Sequence, residues 1–228
     1  MIHERFTAPV AGFMPIRLLN YAIIMGLGAT LIVVLAWLLA GLLGALLTSA
    51  PIVMADSRIT AALREAASPD MLDALTWVSR LHGTAGILAL SALLAAWLAW
   101  RNKHALLPVL LASAPGGLVL NAAVKSAIAR ARPDVLYATD RLSTFSFPSG
   151  HTAGATFLYG FLVVMVWRHS SSVRARMIVV SLAVTAVGLV AASRVMLGLH
   201  YPSDCAAAVA EGLLWLAVCF GTARACRA

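Results

Sequence analysis

Apolar residues run along this chain in long blocks rather than at the spacing of one buried helix face. No charged side chain interrupts Leu18 to Ala55. Five further apolar segments follow, Leu81–Trp100, Ala105–Val124, Thr152–Trp167, Met177–Ser193 and Cys205–Thr222, each 16–20 residues long. A helix needs about 20 apolar residues to cross the hydrocarbon of a bilayer. Each block therefore predicts one transmembrane helix, the shorter ones extending by a residue or two into the adjoining loops. The first block is far longer than a signal-peptide core. It reads as a retained span followed by an exit segment, with Pro51 as the stop signal. With no fixed-period repeat and no Gly/Ser or Pro linker, the pattern predicts an all-α bundle of six transmembrane helices forming a single domain over residues 1–228.

Between the first two spans Arg58, Glu65, Asp70 and Asp73 alternate with Ile59, Leu63 and Met71. Residues 51–72 read either as an amphipathic segment lying at the interface or as an ordinary solvated loop; so few apolar positions fit both.

Composition sharpens the membrane reading. The 228 residues are 61% apolar and 11% charged, against about 45–50% and about 25% in soluble domains. There is too little polar surface to cover a water-soluble fold, and too little charge for a disordered tail. A net charge of +8 would suggest nucleic acid in a soluble protein. Here the cations are spread thinly between apolar blocks, where they act as orientation signals, and no nucleic-acid partner is expected. Cys205, Cys219 and Cys226 form no disulfide or zinc pattern; the first two read as small buried fillers.

The loop cations also orient the chain. On the side of the N-terminus they cluster at helix ends, as Arg101, Lys103, Arg168, Arg174 and Arg176 do. The other side holds Arg58, Arg64, Arg80, Arg130 and Arg141, once Lys125, Arg132 and Arg194 are set aside for chemistry. The positive-inside rule then places both termini in the cytoplasm. It also places the loops at about 48–80, 125–151 and 194–204 together on the opposite face.

The last two of those loops carry most of the chemistry. Lys125, Arg132 and Arg194 stand at the water–membrane boundary, where cations suit a group with several anionic oxygens; each alone could equally snorkel to the headgroups. Pro148-Ser149-Gly150-His151 precedes an apolar helix. A Ser N-cap, a Gly that admits close approach and free N–H groups at the helix start suit phosphate; a plain capping turn with an incidental His is the alternative. His200 and Asp204, four apart, fall on one helix face, Pro202 being tolerated only if the helix starts nearby. The carboxylate would fix the imidazole tautomer and leave the other nitrogen as base or nucleophile. The alternatives are a metal pair, which three nearby cations oppose, and a structural His–Asp bond.

In order, these residues are Lys125, Arg132-Pro133, Pro148-Ser149-Gly150-His151, Ser193-Arg194, His200 and Asp204. The series resembles the type 2 phosphatidic acid phosphatase superfamily. By motif the resemblance runs from Lys125 to Asp204, and by the six-span layout over most of the chain. It implies His200 as the nucleophile forming a phosphohistidine, with Asp204 orienting it. His151 would protonate the leaving oxygen and then activate water. Lys125, Arg132, Ser149, the Gly150 amide and Arg194 would hold the phosphoryl oxygens, with no metal and no cofactor. The expected partner is a membrane lipid substrate within the bilayer; the sequence sets no oligomeric state. The expected location is the bacterial inner membrane, with the active site at the non-cytoplasmic membrane surface, facing the periplasm or exterior.

The resemblance implies hydrolysis of a lipid phosphate or diphosphate. Undecaprenyl diphosphate is placed slightly ahead of phosphatidylglycerophosphate and phosphatidate. A non-hydrolytic lipid-phosphate carrier and a phosphotransferase to a lipid or sugar hydroxyl are the alternatives. His3, His82, His104 and His169 match no motif and read as interfacial or loop residues. Asp134 and Asp140 are expected to be solvated or to pair with Arg130 and Arg141. Glu211, inside the last span, could border a substrate cavity or bond to a neighbouring helix.

Overall fold

The computed structural model describes residues 49–133 and 144–225, so the first predicted span, its exit at Pro51 apart, lies outside the described residues, as do His3, Asp134, Asp140, Arg141 and Cys226. Among the described residues every element is helical: α1 (Ala50–Glu65), α2 (Pro69–Leu81), α3 (Thr84–Trp100), a 3₁₀ turn at His104–Leu106, α4 (Leu107–Ile128), α5 (Gly150–His169), α6 (Val173–Met196) and α7 (Pro202–Ala225). Four continuous segments, beginning at His104, Gly150, Val173 and Pro202, are long and apolar enough to cross a membrane. They run three or four residues beyond several of the predicted blocks. α2 and α3 form a pair bent by 56° that could make a fifth span. The predicted Leu81–Trp100 span is therefore broken at His82-Gly83, and the continuous helix begins only at Thr84.

Residues 51–72 are not one segment. Pro51 lies in the first turn of α1, where its missing N–H costs nothing. A second start follows at Ser68, whose side chain accepts from the Met71 N–H at 3.3 Å, with Pro69 and Asp70 in the first turn of α2. The faces of α1 are inverted relative to a soluble amphipathic helix. Asp56 and Thr60 are buried, whereas Met54, Ile59 and Leu63 are exposed.

α5 is the central helix, packed against α3, α4, α6 and α7. Its Phe157 and Phe161 are fully buried, in a core shared with Ile87, Leu98, Leu110, Ala208 and Leu216. Small residues let the helices approach, as expected where lipid supplies no hydrophobic drive between them. A Cβ on Gly117 of α4 would lie 2.7 Å from the Phe157 ring. α6 is the opposite case: Val173, Met177, Ile178, Leu182, Val184 and Leu189 are all exposed, a surface suited to lipid. Cys205 and Cys219 are buried thiols, as expected of small fillers. Because successive long helices alternate in direction, the end of α4, the start of α5, the end of α6 and the start of α7 gather at one end of the bundle.

Candidate active site

The connection between α6 and α7 is five residues long, and local rules fix every step of it. Gly198 has φ of 70°, a conformation that favours glycine. The Leu199 N–H donates to the Arg194 carbonyl (3.0 Å) and the Gly198 N–H to the Val195 carbonyl (2.9 Å). These are the paired bonds of a Schellman ending, and they close α6 one turn after Arg194. α7 then starts at Pro202. The Asp204 carboxylate reaches back to accept from the Tyr201 N–H at 2.9 Å, half of a capping box. His200 is therefore outside the helix, not on a shared helical face with Asp204 as its spacing suggested. Pro202 is the reason: it begins the helix after His200, and the chain folds the imidazole back onto the first turn.

The nucleophile position is almost sealed from solvent; His200 is 1% exposed and Asp204 is fully buried. His200 Nδ1 lies 3.5 Å from Asp204 Oδ2, and Arg132 Nη1 lies 3.3 Å from His200 Nε2. A guanidinium N–H can only donate, so Nε2 carries the lone pair and the ring proton sits on Nδ1, facing the carboxylate. Burial pushes the imidazole down to about 3, against the opposing pull of the Asp204 hydrogen bond and with Arg194 and Arg132 adding to the fall. The free ring is neutral near pH 7, with Nε2 available to attack.

Asp204 is held from several sides. Its Oδ1 accepts from Arg130 Nη1 at 2.5 Å, and its Oδ2 accepts from the Ser146 hydroxyl. Arg130 also donates from Nη2 to Asp56 Oδ2 at 2.9 Å and lies over the Tyr201 ring, 4.5 Å from its centroid. Arg130 thus makes buried pairs with Asp56 and Asp204, while the expected partners Asp134 and Asp140 lie outside the described residues. Arg130 is 6% exposed and is no loop charge of the kind that orients a membrane protein.

The other predicted residues converge on the same end of the bundle. Arg194, in the last turn of α6, is 3% exposed and donates from Nη1 to the Ser79 hydroxyl of α2, while its Nε and Nη2 are buried with no partner among the described residues. A buried donor without an acceptor is costly, so this half of the fork fits a phosphoryl group. Arg132 donates to the Thr144 and Leu199 carbonyls at 2.8 and 2.7 Å. Lys125 differs from expectation. Its ammonium donates to the carbonyls of Phe145 (2.8 Å), Pro148 (2.7 Å) and, more distantly, Ser146 (3.4 Å). Here Lys125 clamps the loop that leads into α5.

Ser149 is the N-cap residue of α5, yet its side chain makes no cap bond. Instead its hydroxyl accepts from Thr152 Oγ1 at 3.1 Å, and its N–H donates to the Asp204 carbonyl at 3.2 Å. Gly150 opens the helix, and a Cβ there would lie 3.2 Å from Asn121 Oδ1. His151, in the first turn, is within electrostatic reach of Arg194, His200 and Arg132. Its Nε2 lies against the α2–α3 joint, 3.5 Å from where a Gly83 Cβ would stand.

Sequence reasoning missed Asp56, Ser79, Ser146 and Ser203, which hold the site from behind. His82 lies in the joint between α2 and α3, as the loop reading allowed, but it is buried, with ring nitrogens 2.8 Å from the Val78 carbonyl and 2.7 Å from the Tyr159 hydroxyl of α5. Glu211 bonds to a neighbouring helix, accepting from Asn121 Nδ2 of α4 at 2.7 Å. His104 and His169 are exposed.

Comparison with known proteins gives a consistent picture. Residues 105–227 match the model of the PAP2 superfamily. The chain is 30% identical over 164 residues, 70% of its own length and 79% of the relative's, to phosphatidylglycerophosphatase B of Bacillus subtilis strain 168. It superposes with a TM-score of 0.74 and 26% identity on the crystal structure of a transmembrane PAP2 type phosphatidylglycerolphosphate phosphatase from Bacillus subtilis. That match covers 83% of this chain and 94% of the other. The Aquifex aeolicus LpxE structure shares the fold, with a TM-score of 0.56 at 20% identity over 72% of this chain and 93% of the other.

Proposed function

The chain belongs to the PAP2 superfamily and is a membrane lipid phosphatase, and on that premise we propose a two-step reaction through a phosphohistidine on His200. In the first step the Nε2 lone pair of His200 forms a bond to phosphorus. The bond from phosphorus to the lipid oxygen breaks as His151, protonated in the presence of the bound phosphate anion, gives that oxygen a proton. Asp204 keeps its hold on Nδ1–H and balances the positive charge that develops on the ring. In the second step a water oxygen attacks phosphorus and loses its proton to His151. The P–N bond breaks, and His200 returns neutral with inorganic phosphate released. Charge on the transferring group is met by Arg194, Arg132 and the N–H groups at the start of α5, since phosphoryl transfer depends chiefly on positioning and electrostatics.

The observation that carries this reading is the geometry at His200: Asp204 faces its Nδ1 at 3.5 Å, Arg132 Nη1 stands 3.3 Å from its Nε2, and Arg194 beside it has two buried donors with no partner among the described residues. The exposed apolar face of α6 supports a lipid substrate whose tail stays in the bilayer while its headgroup enters the cation pocket. Phosphatidylglycerophosphate becomes the first substrate to test, ahead of undecaprenyl diphosphate, because the Bacillus subtilis relative is a phosphatidylglycerophosphatase. The proposed orientation has both termini in the cytoplasm and the site on the opposite face. Purified protein in detergent with EDTA is expected to release phosphate from phosphatidylglycerophosphate faster than from undecaprenyl diphosphate, phosphatidate or a soluble sugar phosphate. Phosphatidylglycerophosphate bound without release would favour the carrier reading. Release that requires an added hydroxyl acceptor would favour a phosphotransferase.

A further inference from the structure

Behind the nucleophile lies a buried chain of alternating charge, of which only Asp204 belongs to the phosphatase motifs. Asp56 of α1, Arg130 after α4 and Asp204 of α7 are 4%, 6% and 0% exposed. Arg130 bridges the two carboxylates, at 2.9 Å to Asp56 and 2.5 Å to Asp204. Ser203 closes the group. Its N–H donates to Asp56 Oδ1 at 3.1 Å, its hydroxyl donates to Asp56 Oδ2, and its oxygen accepts from Arg130 Nη1 at 2.8 Å.

We propose that Asp56 is a positioning residue for the nucleophile, acting through Arg130 on the carboxylate of Asp204. This rests on the reading of His200 as nucleophile. The Arg130 Nη1–H fixes Oδ1 of Asp204, so that Oδ2 faces His200 Nδ1–H. A lone Arg130 would also draw the Asp204 charge toward itself and away from the imidazole. Asp56 offsets that pull by giving the guanidinium a second anion, which leaves the Asp204 charge for the ring when it is phosphorylated. Outer partners of this kind typically change a site's performance about 10–100-fold. Because Asp56 also ties α1 to the first turn of α7, the polar face of α1 turns inward and its apolar face outward.

The test uses the full chain in detergent. Asp56→Asn keeps the shape and one acceptor for Arg130 but removes the charge. Assayed well below its melting temperature, which the loss of one charge of a buried pair lowers, it is expected to lose about 10–100-fold in kcat, with KM changed less than about threefold. The rate of phosphoenzyme formation, followed with ³²P-labelled substrate, should fall with kcat. Asp56→Glu should recover most of the rate. Wild-type kcat in Asp56→Asn, or a loss that follows melting temperature and is not recovered by Glu, would overturn the proposal. The two readings fail differently. If wild type forms no phosphoenzyme and His200→Ala still turns over, the nucleophile assignment is at fault. A normal phosphoenzyme in wild type, with an unaffected Asp56→Asn, removes the positioning role alone.

Discussion

Replacing His200 with alanine is expected to reduce phosphate release by at least about 10⁴-fold, since the covalent route disappears with its nucleophile and only binding and charge stabilisation remain. The lipid should still bind, because Arg194, Arg132 and the start of α5 are untouched. A side chain so fully enclosed could also be lost at a cost to folding, so the comparison is made on protein that elutes and melts like wild type. His200→Asn, close in shape and without a nucleophilic ring nitrogen, serves as the second variant. Activity within about tenfold of wild type in either would remove His200 from the chemistry.

The second large effect is expected at Arg194. Its Nη1 is committed to Ser79, and among the described residues its buried Nε and Nη2 have no acceptors, an arrangement that costs stability in the free protein and that phosphoryl oxygens would relieve. Removing a preorganised donor from a site of this kind typically costs about 10²–10³ in kcat, equivalent to about 3–4 kcal/mol at about 1.4 kcal/mol per decade. Arg194→Ala should therefore lose about 10²–10³ in kcat/KM for phosphatidylglycerophosphate. Arg194→Lys should recover only part of this, because an ammonium supplies charge without a planar fork. Full recovery with Lys would mean that charge alone matters and that the fork geometry does not. Ser79→Ala separates the two ends of the guanidinium, since it frees Nη1 without touching the half left open for phosphate.

The long-range layout was legible because membrane spans announce themselves as apolar blocks, and counting them brings alternate loops to one face. Among the described helices that alternation puts the segments carrying His151 and His200 at the same end of the bundle. Local motif chemistry was legible to the extent that it is local. Pro202 signalled a helix start beside His200, but the consequence, that His200 stands outside the helix and Asp204 caps its first turn, needed the backbone. What escaped was pairing between distant buried charges. Arg130 sits in sequence between Lys125 and Arg132, and nothing local separates a buried bridge from a loop cation that orients the chain. Asp56 lies in a segment that the pattern allowed to be a solvated loop. Its burial depends on Arg130 and Ser203, which reach it only in the folded chain. Lys125 shows the same limit from the other side. Its position at the site was legible, but its engagement with three carbonyls, rather than with open space for phosphate, was set by the fold of residues 145–148.

The most direct test of the account is to quench wild-type enzyme during turnover of ³²P-labelled phosphatidylglycerophosphate and map the label. Phosphohistidine is stable to base and labile to acid. A base-stable label of up to one phosphate per chain is expected, located on the peptide containing His200 and absent from His200→Asn. Turnover with no covalent label under any quench, or a label on another residue, would contradict it.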